Sequence, residues 1–95
     1  MAASQELELV DFGKALGDPT RLQIMRFCCC EWRSVGDIAR KTGVSQPTVS
    51  HHLALLKEDG LVEIRSEGKQ TFYRLDKSRI ERCCGNIQHA LAPDS

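Results

Sequence analysis

Residues 34–60 read SVGDIARKTGVSQPTVSHHLALLKEDG, and this stretch decides the fold. Ser34 and Ser45 stand where a hydroxyl can cap the free N–H groups at the start of a helix. Gly43 and Gly60 stand where a glycine can end one. The spacing predicts two short helices joined by a tight turn. Such a pair is typical of a helix-turn-helix, whose second helix enters the major groove of DNA.

The second of these helices has one apolar and one polar face. Val49, Leu53 and Leu56 recur at i, i+4 and i+7, which predicts a buried stripe. The other side presents short side chains that can form hydrogen bonds with base edges: Gln46, Thr48, Ser50 and His51. An ordinary amphipathic helix with a solvated polar face has the same periodicity, so periodicity alone leaves that alternative open.

The hydrophobic period becomes strand-like after this helix. Leu61–Arg65 and Thr71–Leu75 have the alternation and the β-branched and aromatic residues of strands. Gly68 lies between them, where a hairpin turn favours a residue that tolerates positive φ. A hairpin over residues 61–75 is therefore expected as a wing beside the helix-turn-helix of residues 34–58.

Helices are expected on both sides of this unit. Segments 7–16 and 77–91 carry apolar residues at helical spacing, and Asp18 followed by Pro19 predicts the start of a helix that runs to Cys29. The expected fold is mainly α with a β-hairpin wing, in the order ααααββα. A chain of 95 residues has room for one such domain.

Composition and the absence of certain motifs exclude several classes of protein. Hydrophobic residues make up 41% of the chain, and no stretch approaches the ~20 apolar residues of a membrane span. The first residues lack the pattern of a signal peptide, so we expect a cytoplasmic protein with no membrane partner. No Cys-x-x-Cys or nucleophilic Cys/His pairing is present, so an enzyme is not expected.

The net charge is zero, but it is distributed unevenly. Residues 33–74 carry seven basic and five acidic side chains, whereas residues 1–32 carry three and five. The middle segment is therefore where a DNA surface is expected. Its candidate phosphate contacts are Arg33, Arg40, Lys41, Lys57, Arg65, Lys69 and Arg74.

Four segments form a joint pattern across residues 9–75. They are DPTRLQIM at 18–25, SQPTVSHHL at 45–53, GLV at 60–62 and EGKQTFYRL at 67–75. This pattern resembles the ArsR/SmtB family of bacterial and archaeal winged-helix repressors. The resemblance implies a homodimer joined through the helices at 7–16 and 77–91. It also implies that the dimer represses at a double-stranded palindromic operator and leaves it when an inducer binds.

Five cysteines are many for this length, and they stand in two clusters, Cys28-Cys29-Cys30 and Cys83-Cys84. Their number is odd and neighbouring cysteines bridge poorly, so a secreted disulfide framework is not expected. In a reducing compartment, clustered thiols indicate metal binding or redox chemistry.

The clusters depart from the sites used by the family's metal sensors. The Cys-x-Cys of the arsenic and cadmium sensors matches Ser34 and Gly36, and two zinc-ligand positions match Lys77 and Arg79. The remaining soft ligands are thiols, and As(III) and Sb(III) favour three thiolates in a pyramid. We therefore expect As(III) or Sb(III) as inducer, held by two thiolates of the first cluster and one of the second. The candidate ligands are Cys28, Cys29, Cys30, Cys83 and Cys84.

Several alternatives stay open at this point. Successive helical residues point about 100° apart, so the first cluster converges only if its helix unwinds at Cys29 or Cys30. Cys28 also fits a packing position in the core. Cys84 stands in one helical stripe with Ile80, Ile87 and Leu91, and fits a packing position in a dimer interface. The same thiols could sense persulfide or an oxidant through a disulfide with no bound inducer, or bind Cd(II), Pb(II) or Hg(II). A metal carrier or thiol enzyme is the alternative of a different class, and indifference to DNA would favour it.

Overall fold

The computed structural model describes residues 3–92. Its elements are α1 (Ala3–Leu16), α2 (Pro19–Phe27), β1 (Arg33–Ser34), α3 (Val35–Thr42), α4 (Gln46–Glu58), β2 (Val62–Glu67), β3 (Gln70–Leu75) and α5 (Lys77–Leu91). The strands form one antiparallel sheet in the order β1-β3-β2. This is the winged helix-turn-helix that the sequence predicts. Between residues 3 and 92, no helix is long and apolar enough to cross a membrane.

Side-chain caps set the start of four helices. The caps are Asp18 for α2, Ser34 for α3, Ser45 for α4 and Asp76 for α5, and each accepts a hydrogen bond from the backbone N–H three residues on. Each thereby satisfies a donor that has no partner within the helix. Gly43 ends α3 in the left-handed conformation, with φ 72°. These residues fix the tight turn between α3 and α4.

The hydrophobic core contains apolar side chains of all five helices. Residues between α2 and β1 and between α4 and β2, and the first residue of β2, also contribute to it. Its buried members are Phe12, Ala15, Ile24, Met25, Cys28, Ile38, Val49, Leu53, Leu56, Leu61, Val62 and Cys83. Burying one leucine stabilises the fold by about 1.5–3 kcal/mol. Val49, Leu53 and Leu56 are fully buried, which confirms the predicted stripe of α4. The opposite side of α4 therefore faces solvent.

The structure confirms the helices and the hairpin of the predicted order ααααββα and adds one short strand, β1, which the prediction lacks. β1 has two residues, and it pairs Arg33 with Tyr73 and Ser34 with Phe72 of β3. A strand this short shows no alternation of polar and apolar residues, so periodicity does not detect it.

The hairpin is confirmed, with longer strands than predicted. Glu67 pairs with Gln70, so Gly68 and Lys69 alone form the turn. Gly68 has φ 59°, which a glycine at the first position of a two-residue hairpin turn adopts without steric cost.

Two helix boundaries also differ from the prediction. α1 begins at Ala3 rather than at residue 7. α2 ends at Phe27 rather than at Cys29, because Cys28 is its C-cap and Cys30 is in the left-handed conformation with φ 72°. A left-handed residue commonly ends a helix, but glycine is its usual sign in a sequence.

Candidate nucleic-acid interface and thiol pair

The exposed face of α4 carries the residues predicted to contact bases. Gln46, Thr48, Ser50 and His51 are all exposed. Thr48 also accepts a hydrogen bond from the Ser45 hydroxyl at 2.9 Å, so it supports the cap while it faces outward. From Gln46 to Ala54 the exposed face carries no lysine, arginine or large aromatic side chain, which lets this part of the helix backbone approach a groove closely.

A groove of about 530 Å³ lies between the helix-turn-helix and the wing. Arg40 and Gln46 line it from α3 and α4, and Lys69 and Thr71 line it from the hairpin. The start of α4 and the wing tip therefore flank one concave surface. A helix in the major groove beside a hairpin on the adjacent backbone has this arrangement.

The candidate phosphate contacts include three exposed lysines. Lys41 is at the end of α3, Lys57 is in the last turn of α4 and Lys69 is in the wing turn. Arg26 of α2 shares a groove of about 350 Å³ with Lys41. Arg26 is not among the phosphate contacts predicted from the sequence, because it lies in the acidic first third of the chain.

Arg40 and Arg65 are exposed cations with carboxylate partners. Arg40 pairs with Asp37, and Arg65 pairs with Glu67. Exposed ion pairs contribute about 1 kcal/mol at most, so a DNA phosphate can compete for either guanidinium.

Two other arginines of the set are engaged in packing. Arg33 Nε donates to the Phe27 carbonyl oxygen at 3.1 Å, and its guanidinium lies 4.1 Å from the Phe27 ring centre. Arg74 donates twice to Glu63 Oε2, at 2.9 and 3.0 Å, and lies 4.4 Å from the Trp32 ring centre. These contacts tie β1 and the preceding loop to the rest of the fold.

His51 and His52 have different surroundings, although they are adjacent. His51 is exposed on the polar side, whereas His52 is half-buried on a flank near Asp18. Burial lowers the pKa of His52, and the Asp18 carboxylate partly opposes that effect. His51 is therefore the better placed of the two for contact with DNA.

The five cysteines fall into buried and exposed groups. Cys28 and Cys83 are buried in the core, whereas Cys29, Cys30 and Cys84 are exposed. Burial raises the pKa of Cys28 to about 11 and also raises the pKa of Cys83. Both side chains are packed among apolar residues and almost inaccessible to solvent, so Cys28 and Cys83 act as packing residues in this conformation.

Cys29 and Cys30 bring their sulfur atoms together. The two Sγ atoms are 3.1 Å apart. The helix has ended before them, and the left-handed backbone at Cys30 replaces the regular helical spacing of side chains. The hydrogen bond to Cys30 raises the pKa of Cys29, and the Lys77 ammonium group opposes that rise. The helix is therefore unwound at this point, which is the condition for the cysteine side chains to converge.

The thiol pair opens into a groove of about 360 Å³ at the start of α5. Lys77 and Ser78 line it from the first turn of α5, and Arg74 lines it from β3. The Leu75 N–H donates to the Cys28 carbonyl oxygen at 3.0 Å. The end of α2, the end of the wing and the start of α5 thus meet at this pair.

The second cysteine cluster does not share this groove. Cys83 lines a separate cavity of about 80 Å³ with Glu8 and Phe12 of α1. Within the described part of the chain, no three Cys, His, Asp or Glu side chains are grouped so that they could hold a metal ion. The structure of a single chain therefore brings two thiols together, not three.

α1 and α5 pack against each other and expose large apolar side chains. Leu7 is 65% exposed and Val10 is 52% exposed on α1, while Leu91 is 81% exposed on α5. Cys84 lies seven residues before Leu91 and hence on the same side of the helix. Large apolar side chains exposed on two packed helices are typical of an interaction surface.

Comparison with known proteins places these features in context. Residues 18–63 match the model of bacterial regulatory proteins of the arsR family. The chain is 38% identical over 72 residues to the biofilm growth-associated repressor of Xylella fastidiosa, a match of 76% of this chain and 63% of that protein. It is 36% identical over 92 residues to the transcriptional regulator CmtR of Mycobacterium tuberculosis, a match of 96% of this chain and 78% of CmtR.

The fold is also similar to that of a solved structure. This is the homodimeric winged helix-turn-helix DNA-binding domain Mb0332 of Mycobacterium bovis, with a TM-score of 0.76 and 34% sequence identity. The similarity covers 97% of this chain and 85% of that domain.

Proposed function

Because this chain belongs to the arsR family of bacterial regulatory proteins, we propose that it is a DNA-binding transcriptional repressor that inserts α4 into the major groove of its operator. The observation that carries the proposal is the exposed polar face of α4 beside the wing groove, held by a fully buried stripe. The base contacts are Gln46, Thr48, Ser50 and His51. The phosphate contacts are Arg40, Lys41, Lys57, Arg65 and Lys69.

The repressor acts in the cytoplasm as a homodimer joined through α1 and α5. The exposed Leu7, Val10 and Leu91 support this interface, since pairing would bury them. Two-fold symmetry then requires a palindromic operator with half-sites one helical turn, or a multiple of it, apart.

The inducer is a thiophilic trivalent ion, As(III) or Sb(III), bound at Cys29 and Cys30. With metal–sulfur bonds of about 2.3 Å, a linear ion holds two thiolates ~4.6 Å apart, a tetrahedral ion ~3.8 Å and an ion with right-angled bonds ~3.3 Å. The observed separation of 3.1 Å favours the last geometry, which is nearest to that of pyramidal As(III) or Sb(III). Hg(II) and Cd(II) fit less well, because a linear or tetrahedral site requires the sulfurs to move apart.

Binding at this pair changes the arrangement of the DNA-binding elements. The pair lies where α2, the wing and the dimerisation helix α5 meet. An ion held there shifts α5 relative to the wing, and hence the angle between the two α4 helices of the dimer. A conformation that no longer matches both half-sites lowers the affinity for DNA.

The contact between two exposed thiols also favours a second candidate, a repressor that senses persulfide or an oxidant. Release would then require an oxidant. In the metalloid proposal, release occurs under full reduction.

Fluorescence anisotropy on two labelled duplexes tests the DNA-binding function. One duplex carries the region upstream of the protein's own gene, and the other has the same base composition in scrambled order. We expect the first to bind at least about a thousandfold more tightly. Equal affinity for both duplexes would overturn the proposal.

A further inference from the structure

Trp32 contacts two arginines of the wing. The Arg74 guanidinium lies 4.4 Å from the centre of the Trp32 ring, and the Arg65 guanidinium lies 5.5 Å from it. Both distances are within the ~6 Å over which a cation is attracted to the face of an indole. Arg65 belongs to β2 and Arg74 to β3, so one indole ring interacts with cations of two strands.

The two arginines are held with different strength. Arg74 donates twice to Glu63 Oε2, at 2.9 and 3.0 Å, across the β2–β3 pair. Arg65 lies two residues after Glu63, and hence on the same face of β2. It is paired with Glu67, but both side chains are exposed, and ion pairs of this kind are weak and screened by salt. Arg74 is therefore fixed against the ring, whereas Arg65 can exchange Glu67 for another anion.

Contact with the ring leaves Arg65 able to bind a phosphate. The N–H donors of a guanidinium point outward in its own plane, so contact through the planar face uses none of the hydrogen bonds that a phosphate accepts. An arginine on an exposed strand otherwise loses much rotamer freedom when it binds DNA. A ring that restricts the side chain in the free protein reduces that loss on binding.

We propose that Trp32 is a positioning residue for DNA binding, whose indole holds the Arg65 guanidinium in place for a phosphate beside the wing. This inference rests on the proposed function, in which Arg65 is a phosphate contact. Glu63 and Arg74 in turn hold the ring. The loop between α2 and β1 thereby contributes to operator affinity through a side chain of β2.

Anisotropy on labelled operator DNA tests the role of the ring. Trp32→Leu keeps apolar bulk but has no aromatic face, so operator affinity should fall about tenfold for the two contacts of a dimer. Trp32→Phe keeps a ring with a weaker attraction for cations, so its loss should be about threefold or less. Wild-type affinity in Trp32→Leu would overturn the proposal, as would an equal loss in both variants.

Phe27→Leu is the matched control, because it removes the ring that the Arg33 guanidinium contacts at 4.1 Å. Arg33 also donates to the Phe27 carbonyl oxygen and is engaged in packing. Phe27→Leu should therefore change operator affinity by less than about twofold. A tenfold loss in this control would overturn the proposal, since loss of any such ring would then weaken binding.

A double-mutant cycle separates positioning from a structural role. Arg65→Ala should lower operator affinity and reduce the slope of log affinity against log salt by about 2 per dimer. In the Arg65→Ala background, Trp32→Leu should cost less than about a further twofold, since no guanidinium is left to position. A further tenfold loss would show that Trp32 acts through the fold, which overturns the proposal. Circular dichroism confirms that each variant folds, and Trp32→Phe serves in the same cycle if Trp32→Leu does not fold.

The inference and the proposed function fail in different ways. Equal affinity of the wild type for operator and scrambled duplexes would overturn the proposed function, and the positioning role with it. Specific operator binding that Trp32→Leu leaves unchanged would overturn the inference alone, and the repressor would stand.

Discussion

Replacing Ser50 by alanine removes one hydroxyl from the middle of the exposed face of α4. Ser50 is exposed and lies outside the buried stripe, so the core is untouched. Alanine also has the higher helix propensity, so the free energy of unfolding should not fall. A hydrogen bond from the hydroxyl to DNA contributes about 1 kcal/mol, or about 2 kcal/mol for the two copies in a dimer. We therefore expect operator affinity to fall about 30-fold.

Fluorescence anisotropy at fixed salt measures this change, with urea unfolding as the check on stability. Ser78→Ala is the matched control, since Ser78 is an exposed serine in the first turn of α5. It should alter operator affinity by less than about twofold. Wild-type affinity in Ser50→Ala, or an equal loss in Ser78→Ala, would refute the assignment of the α4 face to DNA.

Three further predictions concern phosphate contacts, pH and packing. Lys57→Ala and Lys69→Ala should each reduce the slope of log affinity against log salt by about 2 per dimer, as one phosphate contact per protomer requires. Anisotropy at several salt concentrations measures this, and an unchanged slope argues against the contact. Burial lowers the pKa of His52, so its stabilising contribution is complete above about pH 6.5 and is lost as pH falls through the lower folded value. Urea unfolding at about pH 7.5 and about pH 5.5 should show a smaller loss of stability in His52→Gln than in the wild type, and equal losses would contradict this. Cys28→Ser buries a hydroxyl in the core and should lower the free energy of unfolding by about 1–3 kcal/mol, whereas no change would place Cys28 outside the core.

The helix-turn-helix was predictable because its signals are local. Ser34 and Ser45 act as caps through their own side chains, and Gly43 marks the left-handed end of α3. The buried stripe of α4 follows from spacing alone. None of these features depends on contacts far along the chain, so the sequence suffices to locate them.

The thiol site was only partly predictable. The condition for convergence followed from helix geometry, but the end of α2 before Cys29 did not, because three cysteines carry no stop signal. In α5, spacing alone favoured Cys84 in one stripe with Ile80, Ile87 and Leu91. In the structure Cys83 is buried in the core and Cys84 is exposed. The positions of Ile80 and Ile87 do not show whether Cys83 or Cys84 faces the core. A helix that packs on its own core and on a partner has two apolar sides.

Operator release under full reduction is the most direct test of the central claim that thiols control DNA binding. Anisotropy would follow the wild type and the double variant Cys29→Ser/Cys30→Ser on operator DNA during a titration with arsenite. We expect micromolar arsenite to release the wild type while the double variant stays bound. A wild type that stays bound throughout the titration would contradict this control by thiols, as would a double variant released at the same concentrations.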